Sequence, residues 1–116
     1  MEWKDILPYH KNPPTQQLYR SIDVQREYDK YRLNEDENQL KKRLFSRDEV
    51  WVMTKNKYPY HFIDDTRHYV IWFRDKINYK LIEFLLRDYE DVVYFENRNK
   101  NKSINSIPHV QIFLRE

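Results

Sequence analysis

The chain has 116 residues, enough for one domain, and its 21 Lys and Arg against 19 Asp and Glu give a net charge of +2. This balance disfavours nucleic acid as a partner, because duplex-binding proteins usually carry a dense basic surplus. Gly and Cys are both absent, which excludes glycine-rich phosphate loops, disulfides, cysteine–zinc sites and cysteine nucleophiles. Ala is absent too, and a composition so poor in residues with GC-rich codons suggests an AT-biased genome, such as that of a large DNA virus.

The aromatic content predicts a folded chain. Aromatic residues make up 16% of the sequence, whereas disordered chains are poor in them. The longest apolar run, Tyr69–Phe73, is far shorter than the roughly 20 residues that a membrane helix needs. We therefore expect a soluble cytoplasmic protein with no membrane partner, or one of the host cytoplasm or nucleus if its source is viral.

The N-terminal part predicts an arm followed by helices. Prolines within residues 1–20 prevent a long helix, so we expect a short turn near Trp3 and then an extended arm over the surface, held to the core by Trp3 and Leu7. Asp23 is the expected N-cap of a helix that ends near residue 33. Asn34 with Glu37 resembles a capping box that starts a second helix, which runs to about residue 45.

The second half of the chain switches to strand periodicity. Apolar and β-branched runs predict four strands and one amphipathic helix: strands near 50–55, 68–74, 92–96 and 109–115, and a helix over 77–88. The expected fold is an α+β domain, a mainly antiparallel four-stranded sheet with one packed helix, preceded by two N-terminal helices. One domain, 1–116, would comprise an arm (1–20), a helical part (23–45) and a sheet-and-helix core (50–116).

Alternation along the last strand predicts which side chains share a face. Val110, Ile112 and Leu114 should meet the helix over 77–88, where Leu85 should belong to the core. The other face carries polar residues on both long strands, so a site forms there if the two polar faces lie on the same side. Otherwise this is an ordinary sheet edge with a hydrogen-bonded histidine. The candidate catalytic residues are His109 and His68. The candidate ligand-binding residues are Trp72, Arg74, Asn97, Ser103, Ser106, His109, Gln111 and Arg115.

A cluster of histidines and aspartates lies just before the second strand. His61, Asp64, Asp65 and His68 fall within eight residues, and these side chains can ligate metals. Their intervals match no metal-binding motif, so solvated aspartates with incidental histidines are the simpler interpretation. We expect neither a metal nor a cofactor.

Several segments that together cover most of the chain in order carry a family resemblance: Trp3, Tyr58–Tyr60, the His68–Trp72 strand and the run Ser103–Arg115. They resemble the N-acetylglucosamine-induced protein family, which has fungal and viral members. The resemblance implies a regulatory role connected with amino-sugar metabolism and no settled catalytic activity.

The segment Ser106–Phe113 is also similar to the Gln-Ser-Val-x-His-x-His-x-His stretch of the histidine-triad superfamily. In that superfamily the middle histidine attacks the α-phosphate of a nucleotide. The resemblance also places Asn97 of this chain where an asparagine that contacts the ribose or phosphate is expected. Here the middle position is Gln111 and the last is Phe113. A carboxamide is not a nucleophile. The resemblance therefore implies only phosphate binding, by Ser106, His109 and Gln111.

Three functions remain open from the sequence. The first is a binding or regulatory protein that recognises a phosphorylated sugar or nucleotide on the His109/Gln111 face. The second is a degenerate histidine-triad-like hydrolase or transferase, with His109 or His68 as general acid–base. The third is a protein–protein interaction module that uses exposed Tyr and Trp side chains.

Overall fold

A computed structural model describes residues 1–115 and confirms the α+β class. The helices over these residues are α1 (Trp3–Ile6), α2 (Ile22–Asn34), α3 (Glu37–Leu44) and α4 (Tyr79–Leu85). The strands are β1 (Trp51–Lys55), β2 (Arg67–Phe73), β3 (Asp91–Phe95) and β4 (His109–Arg115), and short 3₁₀ turns cover Leu7–Tyr9 and Asn99–Asn101. Within the described residues, no helix is both long and apolar enough to cross a membrane.

The four strands form one antiparallel sheet in the order β1-β2-β4-β3. In the pairing of β2 with β4, His68 lies opposite Phe113, and Trp72 lies opposite His109. Residues directly opposite each other in a ladder point to the same face of the sheet. The polar-bearing faces of the two strands therefore lie on the same side, and we call this side the polar face.

The opposite face of the sheet is covered by α4, as the alternation predicted. Val110, Ile112 and Leu114 are buried there in one cluster with Ile82 of α4. The prediction for Leu85 is wrong in degree, because that side chain is only partly buried against the cluster. The helix is oriented so that Ile82, which is 0% exposed, packs directly on the sheet.

The N-terminal residues fill the end of the polar face. Trp3 and Ile6 are buried against Phe95 and Phe113, whereas Leu7 is 50% exposed and does not hold the segment down. The backbone N–H of Trp3 donates to Asp64 Oδ2 over 2.7 Å. Helical structure thus covers Trp3–Tyr9, in agreement with the expected short turn, and residues 10–20 contain neither helix nor strand.

Both N-terminal helices are present, but each begins at a different cap from the predicted one. Ser21 caps α2, because its Oγ accepts from Val24 N–H, and Asp36 caps α3 by accepting from the amides of residues 38 and 39. The expected cap Asp23 lies in the first turn of α2, and the expected cap Asn34 is its last residue. Residues that can cap a helix stand at nearby positions in both places, Ser21 and Asp23 in one and Asn34 and Asp36 in the other, and cap preference alone does not choose between them.

The two neighbours Ile82 and Phe84 give a matched test of the α4 packing. Ile82→Ala should lower the free energy of unfolding by about 2–5 kcal/mol, because it opens a cavity in the core. Phe84 is 58% exposed, so Phe84→Ala should change it by less than about 1 kcal/mol. Urea denaturation of both variants measures the difference, and equal losses would contradict this packing.

Candidate ligand-binding site

A cavity of about 300 Å³ lies on the polar face, between the sheet and the α2–α3 pair. We call it the polar-face cavity. Its floor is formed by strand residues, its wall by the two helices, and its rim by the loop that precedes β4. The floor includes Thr54, Val70, Trp72, His109 and Gln111; the wall includes Tyr28, Tyr31, Leu40, Arg43 and Leu44; the rim includes Asn97, Asn101, Lys102, Ser103 and Ile104.

Arg20 contributes a buried guanidinium to this cavity. The residue is only 6% exposed, and its Nη1 has no hydrogen-bond partner among the described residues. Its Nε–H donates to the Tyr58 carbonyl oxygen over 2.8 Å. Its Cζ lies 3.8 Å from the Tyr28 ring centroid and 4.8 Å from that of Tyr60. These cation–π contacts hold the planar cation in place, and burial lowers the pKa of Arg20 from its usual value.

His68 and Gln111 form a hydrogen-bonded pair beneath the cavity. His68 Nδ1 accepts from the Tyr60 backbone N–H over 3.1 Å, so Nε2 carries the proton and donates to Gln111 Oε1 over 2.6 Å. Asn56 Nδ2 also donates to Gln111 Oε1, over 3.2 Å. The Asn56 amide orientation is fixed by its own Oδ1, which accepts from Tyr58 N–H.

These contacts make His68 a structural residue. Both of its ring nitrogens are engaged, and its ring stacks on Phe113 with centroids 4.4 Å apart. Burial lowers the pKa of His68 to about 3, so the imidazole is neutral at physiological pH. A histidine with no free nitrogen cannot exchange a proton with a ligand, and the interpretation of His68 as a general acid–base finds no support here.

His109 has the opposite arrangement. Its Nδ1 lies 2.8 Å from the Ile107 carbonyl oxygen, so Nδ1 carries the proton and Nε2 keeps its lone pair. The ring is tilted against Trp72, with centroids 4.8 Å apart, and it is buried. Burial lowers the pKa of His109, and the nearby Lys102 acts in the same direction. His109 therefore presents a neutral imidazole with one unused acceptor nitrogen.

Three buried polar residues of the cavity keep unused hydrogen-bonding capacity. The unpaired atoms are two donors, Arg20 Nη1 and Gln111 Nε2, and one acceptor, His109 Nε2. None of these three atoms has a hydrogen-bond partner among the described residues. Each of these residues is more than nine-tenths buried. Of the three atoms, Arg20 Nη1 is the one that is itself buried without a partner in the described part of the chain. Such a group costs roughly 1–3 kcal/mol, so the cavity favours an occupant that accepts a hydrogen bond from Arg20.

The structure brings together five of the sequence-predicted residues at this cavity. Those lining it are Trp72, Asn97, Ser103, His109 and Gln111. Asn97 is buried, and its Nδ2 donates to the Tyr60 hydroxyl over 3.4 Å. Trp72 donates its indole N–H to Thr54 Oγ1 over 3.0 Å. These two bonds fix the side chains before any ligand arrives.

The remaining three candidates lie outside the cavity. Arg74 donates to the Asp48 carbonyl oxygen at the far end of β2. Arg115 pairs with Asp91 over 3.5 Å at the last position of β4. Ser106 bonds through its N–H and Oγ to Glu37 Oε1, which fastens the rim loop to the start of α3. Sharing a face with His109 did not suffice, because both arginines stand at strand ends beyond the helical cover.

The residues that sequence analysis missed come from the N-terminal part. Arg20, Tyr28 and Tyr31 line the cavity, although the sequence predicts a surface arm at Arg20 and only a helix at the two tyrosines. No local pattern distinguishes Arg20 from an exposed arginine. The helix that carries the two tyrosines is predicted from the sequence, but its position over the polar face depends on tertiary packing.

The histidine–aspartate cluster before β2 has structural contacts instead of metal geometry. Asp64 accepts from the backbone amides of Trp3 and Thr66, and His68 points into the network described above. Among residues 1–115, no group of three or more His, Asp or Glu side chains is arranged to hold a metal ion.

Comparison with known proteins gives a fold relationship. No protein-family model matches the chain, and no curated protein matches it significantly. Among solved structures, the crystal structure of HTC1 is similar, with a TM-score of 0.67 and 20% sequence identity over 85% of this chain and 76% of that chain. At this identity the likeness shows the fold alone. The resemblances to the N-acetylglucosamine-induced and histidine-triad families stay predictions.

The buried neutral His68 predicts an acid-sensitive fold. The unfolded chain binds a proton at His68 near pH 6.5, whereas the folded chain resists it until about pH 3. The free energy of unfolding should therefore fall as the pH drops below about 6.5, by up to about 1.4 kcal/mol per pH unit. His68→Gln should remove this part of the slope, and His61→Gln, at an exposed histidine, should leave it. Urea denaturation between about pH 7 and pH 4 measures both, and an unchanged slope in His68→Gln would contradict the neutral assignment.

Proposed function

We propose that this protein binds a small phosphorylated metabolite, a sugar phosphate or a nucleotide, in the polar-face cavity. The observation that carries the proposal is Arg20, a nearly fully buried cation with an unpartnered Nη1 at the cavity. Buried charges are normally paired. Phosphate is, with carboxylate, one of the two anions whose geometry matches the planar fork of a guanidinium.

The charge of the lining supports an anionic ligand. Cations dominate it: Arg20, Arg43, Lys55, Lys57 and Lys102, against the single carboxylate of Glu35. This local excess contrasts with the nearly balanced charge of the whole chain. Cations collected around a partly enclosed space raise the local concentration of anions.

The aromatic and amide lining supports a ligand with a ring. Tyr28, Tyr31, Tyr58 and Trp72 contribute ring surfaces, and the Gln111 amide reaches the floor between them. Such mixtures of aromatic surface and a few placed polar groups are typical of small-molecule sites. A volume of about 300 Å³ lies at the lower end of the usual range of roughly 300–1,000 Å³, which favours a compact ligand such as a monosaccharide phosphate or a mononucleotide.

The floor of the cavity favours binding over covalent transfer. The position that corresponds to the histidine-triad nucleophile is Gln111, and its Oε1 already accepts from His68 and Asn56. Its remaining amide nitrogen donates hydrogen bonds and does not attack phosphorus.

We therefore expect no covalent intermediate with nucleotides. Incubation of the purified protein with radiolabelled nucleotides, followed by denaturing electrophoresis at alkaline pH, should show no label on the chain. His109→Asn serves as the control, since His109 is the remaining imidazole of the cavity with a free nitrogen. An acid-labile adduct that disappears in this variant would favour the transferase alternative.

The anion-binding role of Arg20 is tested by a charge-conserving variant. Arg20→Lys keeps the positive charge but loses the planar fork, so the affinity for ribose 5-phosphate or AMP should fall about tenfold or more. Arg26→Lys is the matched control, because Arg26 is exposed on α2. Titration calorimetry measures both affinities, after a thermal-shift screen of sugar phosphates, nucleotides and nucleotide sugars.

Two results would count against the proposal. Equal affinities for the two variants would remove Arg20 from the binding site. No thermal shift with any phosphorylated compound would favour the protein–protein interaction alternative.

A further inference from the structure

The polar-face cavity has two chemically different ends. At one end Arg20 donates to Tyr58 O, and the chain turns there through Lys57 and Asn56. We call this the Arg20 end. At the other end lie His109, Trp72 and Ser103, which we call the His109 end. Gln111 stands between them, since Asn56 bonds to it and His109 is two residues away along β4, a rise of roughly 6.5–7 Å.

Uncompensated positive charge is concentrated at the Arg20 end. Lys102, near His109, is paired with Glu96 over 2.5 Å. Arg43, on the helical wall, is paired with Glu35 over 2.9 Å. Arg20 and Lys57 have no carboxylate partner among the described residues; their contacts are with tyrosine rings and a carbonyl oxygen. An anionic group is therefore best stabilised at the Arg20 end.

The His109 end offers a hydrogen-bond acceptor to the ligand. The bond from Nδ1 to the Ile107 carbonyl oxygen leaves the Nε2 lone pair unused. The charged groups that act on this ring are Lys102, Glu96 and Glu37, and the first two are paired with each other. A lone pair repels the oxygens of a phosphate and accepts the hydrogen of a hydroxyl group.

Resting on the proposed function, we propose that the ligand lies in one orientation, with its phosphate at Arg20 and a sugar hydroxyl donating to His109 Nε2. The Gln111 amide donates to a ligand oxygen between the two ends. The required ligand is thus a phosphate ester of a hydroxylated ring. A free sugar phosphate and a nucleotide share this chemistry, and inorganic phosphate has only its anionic half.

Two substitutions of His109 separate its two nitrogens. In His109→Asn, the amide can keep the donor to the Ile107 carbonyl oxygen but does not reach the position of Nε2. In His109→Gln, the longer side chain places its amide oxygen near that position. Thermal melting of both variants establishes that they are folded before binding is measured.

The experiment compares three probes by titration calorimetry: inorganic phosphate, ribose 5-phosphate and AMP. His109→Asn should weaken ribose 5-phosphate or AMP about tenfold, the value of one good hydrogen bond, and should change phosphate affinity less than twofold. His109→Gln should recover most of the loss. Arg20→Lys should weaken all the probes that bind. Whether ribose 5-phosphate or AMP shows the larger His109 dependence identifies the free sugar or the nucleoside as the source of the hydroxyl.

Two outcomes overturn the inference while leaving the proposed function intact. Equal weakening of phosphate and of the sugar-bearing probes by His109→Asn would place the phosphate at His109. Unchanged affinities for all probes in His109→Asn would remove the hydroxyl contact. If the wild-type protein binds none of the three probes, the proposed function fails and the inference fails with it.

Discussion

The antiparallel pairing of β2 with β4 determines which of their side chains form the floor of the polar-face cavity. Because side chains alternate along a strand, the register that sets Trp72 opposite His109 also sets Val70 opposite Gln111. A shift of one residue would move His109 and Gln111 into the core under α4 and place Val110 in the cavity. The core under α4 must be filled by apolar side chains, and this requirement specifies the register. The polar-face cavity depends on that register.

The two histidines on this face show how local partners decide the role of a side chain. His68 receives a backbone N–H on one nitrogen and gives its proton to Gln111 from the other, so it orients the floor of the cavity. His109 bonds to the protein through one nitrogen and has the other available. The same residue type on the same face thus provides a rigid support in one case and an available acceptor nitrogen in the other.

Sequence patterns predicted the strands and their faces well because the alternation of side chains is a local property of the sequence. The alternation of β4 predicted both of its faces, and the apolar periodicity of α4 predicted its packing against Ile112. The ends of elements were harder, as the caps of α2 and α3 show, since several neighbouring residues can each cap a helix. Leu85 was misjudged because a short helix contacts the sheet along a narrower stripe than its apolar residues suggest.

The sequence predicted the floor of the cavity but not its wall. Its floor follows from strand alternation, which is why Trp72, His109 and Gln111 were identified. Its wall depends on where α2 and α3 settle over the sheet, a long-range packing outcome with no local signature. The sequence therefore gives no sign that Arg20 lies at the cavity, although this cation, buried between two tyrosine rings, carries the proposed binding of an anion.

The most direct test of this account is to observe the arginine side chains during ligand addition. Nitrogen-15 NMR resolves arginine Nε–Hε groups, and single Lys substitutions of Arg20, Arg26, Arg74 and Arg115 assign four of them. Titration with ribose 5-phosphate should shift the Arg20 signal and leave the exposed Arg26 signal in place. A shift confined to Arg74 or Arg115, which lie outside the cavity, would contradict the central claim that Arg20 holds the phosphate.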